Sequence, residues 1–160
     1  MGYKDAAKLI AAILICEIAG LIGAVFTTPS IQGWYAALNK PDFTPPAWAF
    51  GPAWTTLYAL MGIALYLVWK RRGAGASADA NKALFFFGIQ LALNVLWSIL
   101  FFGMHSPLYG LACIIALWAA IALTMLSFYR ISRKAALILV PYLLWVSFAA
   151  ILNFYIWRLN

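Results

Sequence analysis

The sequence predicts an all-α integral membrane protein, a bundle of five transmembrane helices that forms a single domain over residues 1–160. The composition is 66% hydrophobic and only 9% charged, whereas a soluble domain carries roughly 25% charged residues. Between Lys82 and Arg130 the chain contains no Asp, Glu, Lys or Arg. That stretch is too long for one span of roughly 20 residues and fits two. The apolar runs do not alternate with polar residues, which excludes the strands of a β-barrel.

Five apolar runs account for the whole chain, and we place spans at about 9–26, 48–69, 83–104, 108–129 and 135–157. The first run follows Lys4 and Lys8 as a signal peptide would, but it is longer than a signal core and contains Glu17. We therefore predict a retained helix. Turn signals separate the runs, at Pro29, Gly73-Ala74-Gly75, Ser106-Pro107 and Arg130 to Lys134.

A rigid loop rich in proline and tryptophan is predicted at residues 29–47, within the sequence GWYAALNKPDFTPPAWAFGPAW that begins at Gly33. Each proline fixes its own φ near −65° and drives the preceding residue toward extended backbone. The loop and its edge also carry large aromatic side chains, namely Trp34, Tyr35, Phe43 and Trp48. Two interpretations fit these residues: an aromatic belt that anchors helix ends at the interface, or a preformed lid over a ligand.

The basic residues predict the orientation of the chain in its membrane. With five spans, nine of the 11 Lys and Arg residues fall on one side and only Lys40 and Arg158 on the other. The positive-inside rule then places the N-terminus in the cytoplasm, with the proline loop outside, in a multi-pass protein of the cell membrane. The net charge of +7 is explained by topology and anionic lipid, so no nucleic-acid partner is expected.

Three predicted spans each present a face that mixes aromatic with amide or small residues at helical spacing. These faces are Phe50, Trp54, Leu57 and Met61; Gln90, Asn94, Trp97 and Phe101; and Tyr142, Trp145, Ala149 and Leu152. Such faces suit a flat apolar ligand with a few polar edges, and they also suit ordinary helix packing. An unpaired amide at membrane depth costs several kcal/mol, so Gln90 and Asn94 require partners, either on a neighbouring helix or on a ligand.

Few residues offer conventional catalytic chemistry. Glu17 is the only carboxylate inside a predicted span, and it fits either a functional acid or a satisfied structural one. Cys16 and Cys113 fall within spans and are interpreted as small buried hydrophobes, with no disulfide and no metal site. His105 is the only histidine and has no carboxylate near it in sequence. The sequence contains no plausible Ser-His-Asp triad or phosphate loop.

The loop and its flanks resemble the tryptophan-rich sensory protein family, also called the translocator protein or peripheral-type benzodiazepine receptor family. The matching segments near the loop are Trp34-Tyr35-x2-Leu38-x-Lys40-Pro41, Pro45-Pro46-x-Trp48 and Gly51-Pro52-x-Trp54-x2-Leu57-Tyr58. Further along the chain they are Gln90-Leu91-x2-Asn94-x2-Trp97, Phe101-Phe102-Gly103, Pro141-Tyr142-Leu143-x-Trp145 and Leu152-Asn153-x3-Trp157-Arg158. Their order and spacing match the family over all but the first span and the basic loop.

The resemblance implies a five-helix bundle that binds porphyrins and isoquinoline or benzodiazepine drugs, and in some members cholesterol. On that basis the candidate ligand-binding residues are Ala24, Trp34, Trp48, Phe50, Trp54, Tyr58, Gln90, Asn94, Trp97, Tyr109, Tyr142, Trp145, Ala149 and Leu152. The resemblance also implies a catalytic role for Trp54 and Trp145, because tryptophans at these positions support light-driven porphyrin breakdown in a bacterial member. No buried axial haem ligand is present, so a porphyrin would be cargo or substrate and no cofactor is expected.

Two departures from the family pattern weaken parts of this interpretation. Asp42-Phe43 stands where members often carry tryptophan, so the loop is less aromatic. Leu152, Tyr155 and Arg158 fit a loose sterol motif, but the mammalian pattern has tyrosine at the position of Phe154. An interfacial Arg158 beside an aromatic residue explains the same residues without a sterol.

Stripes of small residues predict close helix contacts, either inside the bundle or at a homodimer seam. They are Gly88-x3-Ala92 and Ala112-x3-Ala116-x3-Ala120. Three functions remain open from the sequence: a tetrapyrrole-binding receptor or carrier, an enzyme that photo-oxidises porphyrin, and a transporter of small molecules or sterols that is linked to protonation of Glu17.

Overall fold

The computed structural model describes residues 2–72 and 77–160, and every regular element in these ranges is a helix. The elements are α1 (Tyr3–Ile31), α2 (Trp34–Ala37), α3 (Ala47–Arg72), α4 (Ser77–Ser98), a π-helical turn (Ile99–Gly103), α5 (Pro107–Ile131), α6 (Arg133–Ile138) and α7 (Val140–Leu159). Five segments in the described part of the chain are long and apolar enough to cross a membrane, the last of them being α6 and α7 together. The predicted five-helix membrane bundle is confirmed.

The helices extend further than the apolar runs that predicted them. α1 covers Tyr3–Ile31 instead of 9–26, because the helix includes polar first turns that the apolar run leaves out. Pro29, taken as a turn signal, lies inside the last turn of this helix, so the connection begins later than residue 29. The turn predicted at Gly73-Ala74-Gly75 lies outside the described residues.

Proline and a π-helical turn shape the ends of two spans. Pro141 occupies the first turn of α7, where its missing N–H leaves no bond unmade, and the chain breaks briefly at Leu139 between α6 and α7. In the π-helical turn Ile99–Gly103, the amide of Met104 donates to the carbonyl of Ile99 at 2.8 Å. The turn aims Phe101 and Phe102 into the core, where both are buried.

Contacts between distant residues place the connections on two sides of the bundle. Near the start of α1, the Lys70 ammonium forms an ion pair with Asp5 at 2.7 Å, so the N-terminal end of α1 and the end of α3 lie together. At the opposite side, the amide of Asn39 donates to Asn160 Oδ1 at 3.0 Å. The loop before α3 therefore covers the same end of the bundle as the end of α7, as a five-span topology requires.

α1 packs chiefly against α3 and α4, and the closest approach is at Gly62. A Cβ placed on Gly62 would lie only 2.5 Å from Ile13 Cα, so the two backbones nearly touch there. On the other side of the bundle, the rings of Phe87 and Phe128 stack at 5.8 Å between α4 and α5. The residues of α1 and α3 that lie between this contact and the proline loop line the space described next.

Candidate functional site

A cavity of about 210 Å³ lies between α1, α3 and α4, roofed by α2. Its lining is formed by Glu17, Gly20, Leu21, Gly23, Ala24, Thr27, Thr28 and Ile31 of α1; Tyr35 of α2; Ala47, Phe50, Gly51, Trp54, Thr55 and Tyr58 of α3; Asn94, Trp97 and Ser98 of α4; and Phe102. Several lining residues are exposed on the outside of the bundle, including Leu21 and Thr55. The cavity therefore opens sideways, between α1 and α3, toward the lipid.

Glycine makes the α1 side of the cavity flat. A Cβ on Gly20 would lie 2.5 Å from the Tyr58 ring, and one on Gly23 would lie 3.0 Å from Ser98 Oγ. Because no side chain fills these positions, α1 approaches α3 and α4 closely while it leaves room beside Ala24. The run of small residues on α1 is thus part of how the site is built.

Aromatic rings form the opposite wall. Trp54 lies at its centre, with its ring centroid 5.7 Å from Tyr58 and 6.4 Å from Trp97. Trp145 stands behind this wall, edge-on to Trp54 at 6.5 Å and to Phe50 at 6.1 Å. The structure therefore brings Trp54 and Trp145 into contact, but only Trp54 lines the cavity.

A chain of four buried polar side chains runs from the cavity wall into the bundle. The hydroxyl of Tyr58 donates to Asn94 Oδ1 at 2.8 Å, and Asn94 Nδ2 donates to the Tyr142 hydroxyl at 2.7 Å. The Tyr142 hydroxyl in turn donates to Gln90 Oε1 at 2.8 Å. The sequence left open whether Asn94 bonds a neighbouring helix or a ligand. In the structure, both its Oδ1 and its Nδ2 bond side chains of neighbouring helices. Gln90 Nε2 has no partner among the described residues.

Asn153 is a residue that the sequence interpretation did not select as part of the site. Its Oδ1 accepts from the indole N–H of Trp97 at 3.1 Å, and its Nδ2 donates to the carbonyl of Pro107 at 2.7 Å. These bonds hold the Trp97 ring in place and use the indole N–H that a ligand would otherwise meet. The sequence did contain a signal for this role, because Asn153 follows Leu152 in the family motif and an asparagine at membrane depth requires hydrogen-bond partners.

The candidate residues of the loop and of α5 lie apart from the cavity. Trp34 stacks on His105 with ring centroids 4.7 Å apart, so it ties the loop to the turn between α4 and α5. Trp48 is 76% exposed and Tyr109 is 54% exposed, and neither lines the cavity. Of the two interpretations of the loop, the exposed position of Trp48 favours an interface anchor for this residue.

Two candidates on α7 line a separate small cavity. Ala149 and Leu152 lie with Tyr35, Phe50 and Trp97 around a space of about 20 Å³. The sterol-motif residues do not share one surface, because Leu152 is buried in the bundle while Tyr155 and Arg158 are exposed.

Tyr35 of α2 closes the loop side of both cavities. Its side chain is 6% exposed, its hydroxyl has no partner among the described residues, and burial raises the pKa of this hydroxyl to about 12. A buried hydroxyl without a partner is a donor available to a ligand.

Lys40 fixes the roof from outside, a role the sequence interpretation missed. Its ammonium donates to the carbonyls of Tyr35, Ala36 and Leu38 at 2.8, 3.0 and 2.9 Å, and it lies 5.1 Å from the Tyr35 ring centroid. Lysine near the end of a helix commonly bonds the last carbonyls in this way. A sequence signal was therefore present, but it required knowing that a helical turn ends at Ala37.

Comparisons with known proteins identify the family of the chain. The TspO/MBR family profile matches residues 12–158. The chain is 53% identical to the tryptophan-rich protein TspO of Archaeoglobus fulgidus, over 96% of this chain and 97% of the relative. It is 40% identical to the translocator protein of Homo sapiens, over 87% and 82% of the two chains. The tryptophan-rich sensory protein of Cereibacter sphaeroides is 41% identical, over 86% and 85%. This chain belongs to the TspO/MBR family.

Proposed function

We propose that this protein is a membrane receptor or carrier that binds tetrapyrroles, and other flat aromatic molecules such as isoquinoline or benzodiazepine drugs, in the cavity between α1, α3 and α4. One observation carries the proposal: the rings of Phe50, Trp54 and Trp97 face a wall of α1 made flat by glycine. A slot with one aromatic side and one smooth side suits a planar apolar molecule.

The size of the cavity indicates how a macrocycle would enter. About 210 Å³ is below the roughly 300–1,000 Å³ that is usual for pockets of drug-sized ligands. A porphyrin would therefore place one edge against Trp54 and extend through the lateral opening past Leu21 and Thr55. Entry from the lipid agrees with the low solubility of porphyrins in water.

A variant in which a larger side chain fills the cavity tests this proposal. Ala24 lines the cavity, and Ala24→Phe should lower the affinity for protoporphyrin by about tenfold, which corresponds to about 1.4 kcal/mol. Ala119→Phe is the matched control, because Ala119 is an exposed helical alanine outside the cavity lining. The measurement is quenching of tryptophan fluorescence by protoporphyrin in detergent micelles. Equal affinities of the two variants would show that porphyrin does not bind here.

Light-driven oxidative breakdown of the bound porphyrin is a second candidate function, favoured by the contact between Trp54 and Trp145 at 6.5 Å. The indole of Trp54 would transfer one electron to the photoexcited macrocycle, which gives an indole radical cation and a porphyrin radical anion. The porphyrin radical anion would pass its electron to dioxygen, which gives superoxide, and Trp145 would share the missing electron of Trp54. The indoles would regain that electron from the macrocycle, and the resulting porphyrin radical cation would combine with superoxide to give an oxygenated product.

Phenylalanine is harder to oxidise than tryptophan, so Trp54→Phe and Trp145→Phe should each slow the light-driven loss of porphyrin absorbance while binding in the dark persists. Trp118→Phe serves as the control, because Trp118 bonds Ser147 on α7 outside the cavity lining. If the double variant bleaches bound porphyrin as fast as the natural protein does, these indoles take no part in the chemistry.

We further propose the predicted orientation in the cell membrane and a homodimer. Nine of 11 basic residues support a cytoplasmic N-terminus. A single cysteine at Ser77, in a chain lacking Cys16 and Cys113, should resist labelling from outside intact cells. For the dimer, the outward position of Ala112 and Ala116 on α5 leaves these small residues free to meet a second copy. Cross-linking through a cysteine at Ala112 measures this contact.

A further inference from the structure

We infer that the cavity also binds flat aromatic ligands that carry a positively charged nitrogen donor, and that Glu17 binds this nitrogen at the middle of the membrane. The inference rests on the proposed function in that it uses the same cavity, but it assigns a residue and a ligand chemistry that the aromatic wall does not. A carboxylate at membrane depth requires a partner, and the described residues leave that position to the ligand.

Glu17 lies halfway along α1, about 21 Å from Tyr3 and from Ile31 at 1.5 Å per residue. It is the only acidic residue in the lining of the cavity, at the end farthest from the roof. Gly20 follows it by nearly one helical turn on the same wall. A flat molecule lying along the small residues of α1 therefore meets the Glu17 side chain at its inner end.

The protein supplies no cation to Glu17 within the described ranges. The ion pair found there joins Lys70 to Asp5, near the membrane surface. The side chains packed near Gly20 at this end of the cavity are Tyr58 from α3 and its partner Asn94 from α4, and Cys16 precedes Glu17 on α1 itself. None of these side chains is basic, and the only titratable ones are a phenol and a thiol.

Two neighbouring donors already have partners. The hydroxyl of Tyr58 donates to Asn94 Oδ1, and Asn94 Nδ2 donates to the Tyr142 hydroxyl. Glu17 has no hydrogen-bond partner among the side chains and backbone groups described. Its acceptor oxygens are therefore available to a molecule that enters from the lipid.

The opposite end of the cavity complements Glu17. The buried hydroxyl of Tyr35 lacks a partner among the described residues and can donate to a ligand carbonyl or carboxylate. The cavity thus offers an aromatic wall, a donor under the roof and an anionic acceptor at mid-membrane. The matching ligand has a flat body, an acceptor at one end and an ammonium group at the other.

Two fluorescent probes with the same body test the assignment: 1-pyrenemethylamine, which carries an ammonium group, and 1-methylpyrene, which does not. Energy transfer from tryptophan to pyrene reports binding to the full chain in detergent micelles. Glu17→Gln should weaken binding of the amine by at least about tenfold, as expected for loss of a charge-assisted hydrogen bond, and leave binding of 1-methylpyrene unchanged. The affinity of each probe is compared between the variant and the natural chain, so the difference in how the two probes partition into the micelle does not affect the result.

Three controls give each outcome a meaning. Glu17→Asp keeps the charge and should retain part of the preference for the amine. Asp79→Asn removes an exposed acid on α4 and should keep all of it. If Glu17→Gln binds the amine as the natural chain does, or weakens both probes equally, the assignment is wrong. Protoporphyrin titration separates the two proposals, because failure of the natural chain to bind porphyrin counts against the proposed function alone.

Discussion

Gly62 packs against Ile13 about one helical turn beyond the cavity-lining residues Tyr58 and Glu17, and Gly62→Ala tests that packing. A Cβ at this position would lie 2.5 Å from Ile13 Cα and 2.9 Å from Ile13 N. Backbone atoms cannot rotate away as a side chain does, so α1 would have to move by about 1 Å to reach an ordinary contact distance. Forcing extra atoms into a packed interface costs typically about 1–3 kcal/mol. We expect the variant to be less stable and to have a widened opening between α1 and α3.

Gly88→Ala provides the matched control, because no atom lies within 4 Å of a Cβ built on Gly88. Both changes replace glycine by alanine inside a helix, so the gain in helix propensity of about 1 kcal/mol applies to both. The difference between the two variants therefore isolates the packing cost at Ile13. At roughly 2–4 °C per kcal/mol for a chain of this size, their melting temperatures should differ by about 2–12 °C.

Thermal unfolding in detergent, followed by circular dichroism, measures this difference. The same samples can be titrated with protoporphyrin, for which Gly62→Ala should show weaker binding than Gly88→Ala. Equal melting temperatures would refute the reasoning, since α1 and α3 would then have room for a methyl group at their closest approach. A lower melting temperature with unchanged porphyrin affinity would show that the contact stabilises the fold without shaping the cavity.

Two further variants examine the wall and the roof of the cavity. Tyr142→Phe removes the hydroxyl between Asn94 and Gln90, leaving two buried groups unpaired, and should lower the stability by about 1–3 kcal/mol in the same unfolding assay. Lys40→Met removes the ammonium that bonds three carbonyls around Tyr35, so the roof must be ordered on binding and porphyrin affinity should fall several-fold; Lys40→Arg should restore part of it. Unchanged unfolding in the first case, or unchanged titration in the second, would contradict these roles.

The fold could be predicted from the sequence because hydropathy alone indicates five spans. The apolar runs are long, and between Lys82 and Arg130 they are free of charge, which leaves little besides five spans. The finer shape depended on backbone features that hydropathy does not contain. Pro29 continues a helix in place of ending it, the π-helical turn re-aims Phe101, and His105 takes a positive φ of 52° in the short connection that follows.

The sequence predicted which face of each helix carries site residues. It did not predict which of those residues line the cavity and which pack behind it, because that depends on how the helices are arranged in space. Trp54, Tyr58 and Asn94 were selected from spacing and resemblance, and all three line the cavity. Trp48 and Trp145 have equally strong motifs but lie on the surface or behind the wall. Helical spacing gives the face of each helix but not its rotation about its own axis relative to its neighbours, so it cannot separate a lining residue from the one packed behind it.

The two sides of the cavity differ in how firmly they are held, and this difference decides how the cavity can adapt to its ligand. On the α3 and α4 side, hydrogen bonds from Tyr58 through Asn94 and Tyr142 to Gln90 connect three spans, and the bond between Trp97 and Asn153 fixes the Trp97 ring. On the α1 side, the contacts beside the cavity are made by glycine, and the polar bonds of α1 lie near its two ends, from Asp5 to Lys70 and from Ser30 to the carbonyl of Phe102. A ligand larger than about 210 Å³ must therefore displace the middle of α1, between its contact with Gly62 and Ser30, while the aromatic wall keeps its shape. The displacement widens the lateral opening between α1 and α3, so the part of a macrocycle that does not fit inside can remain in the lipid.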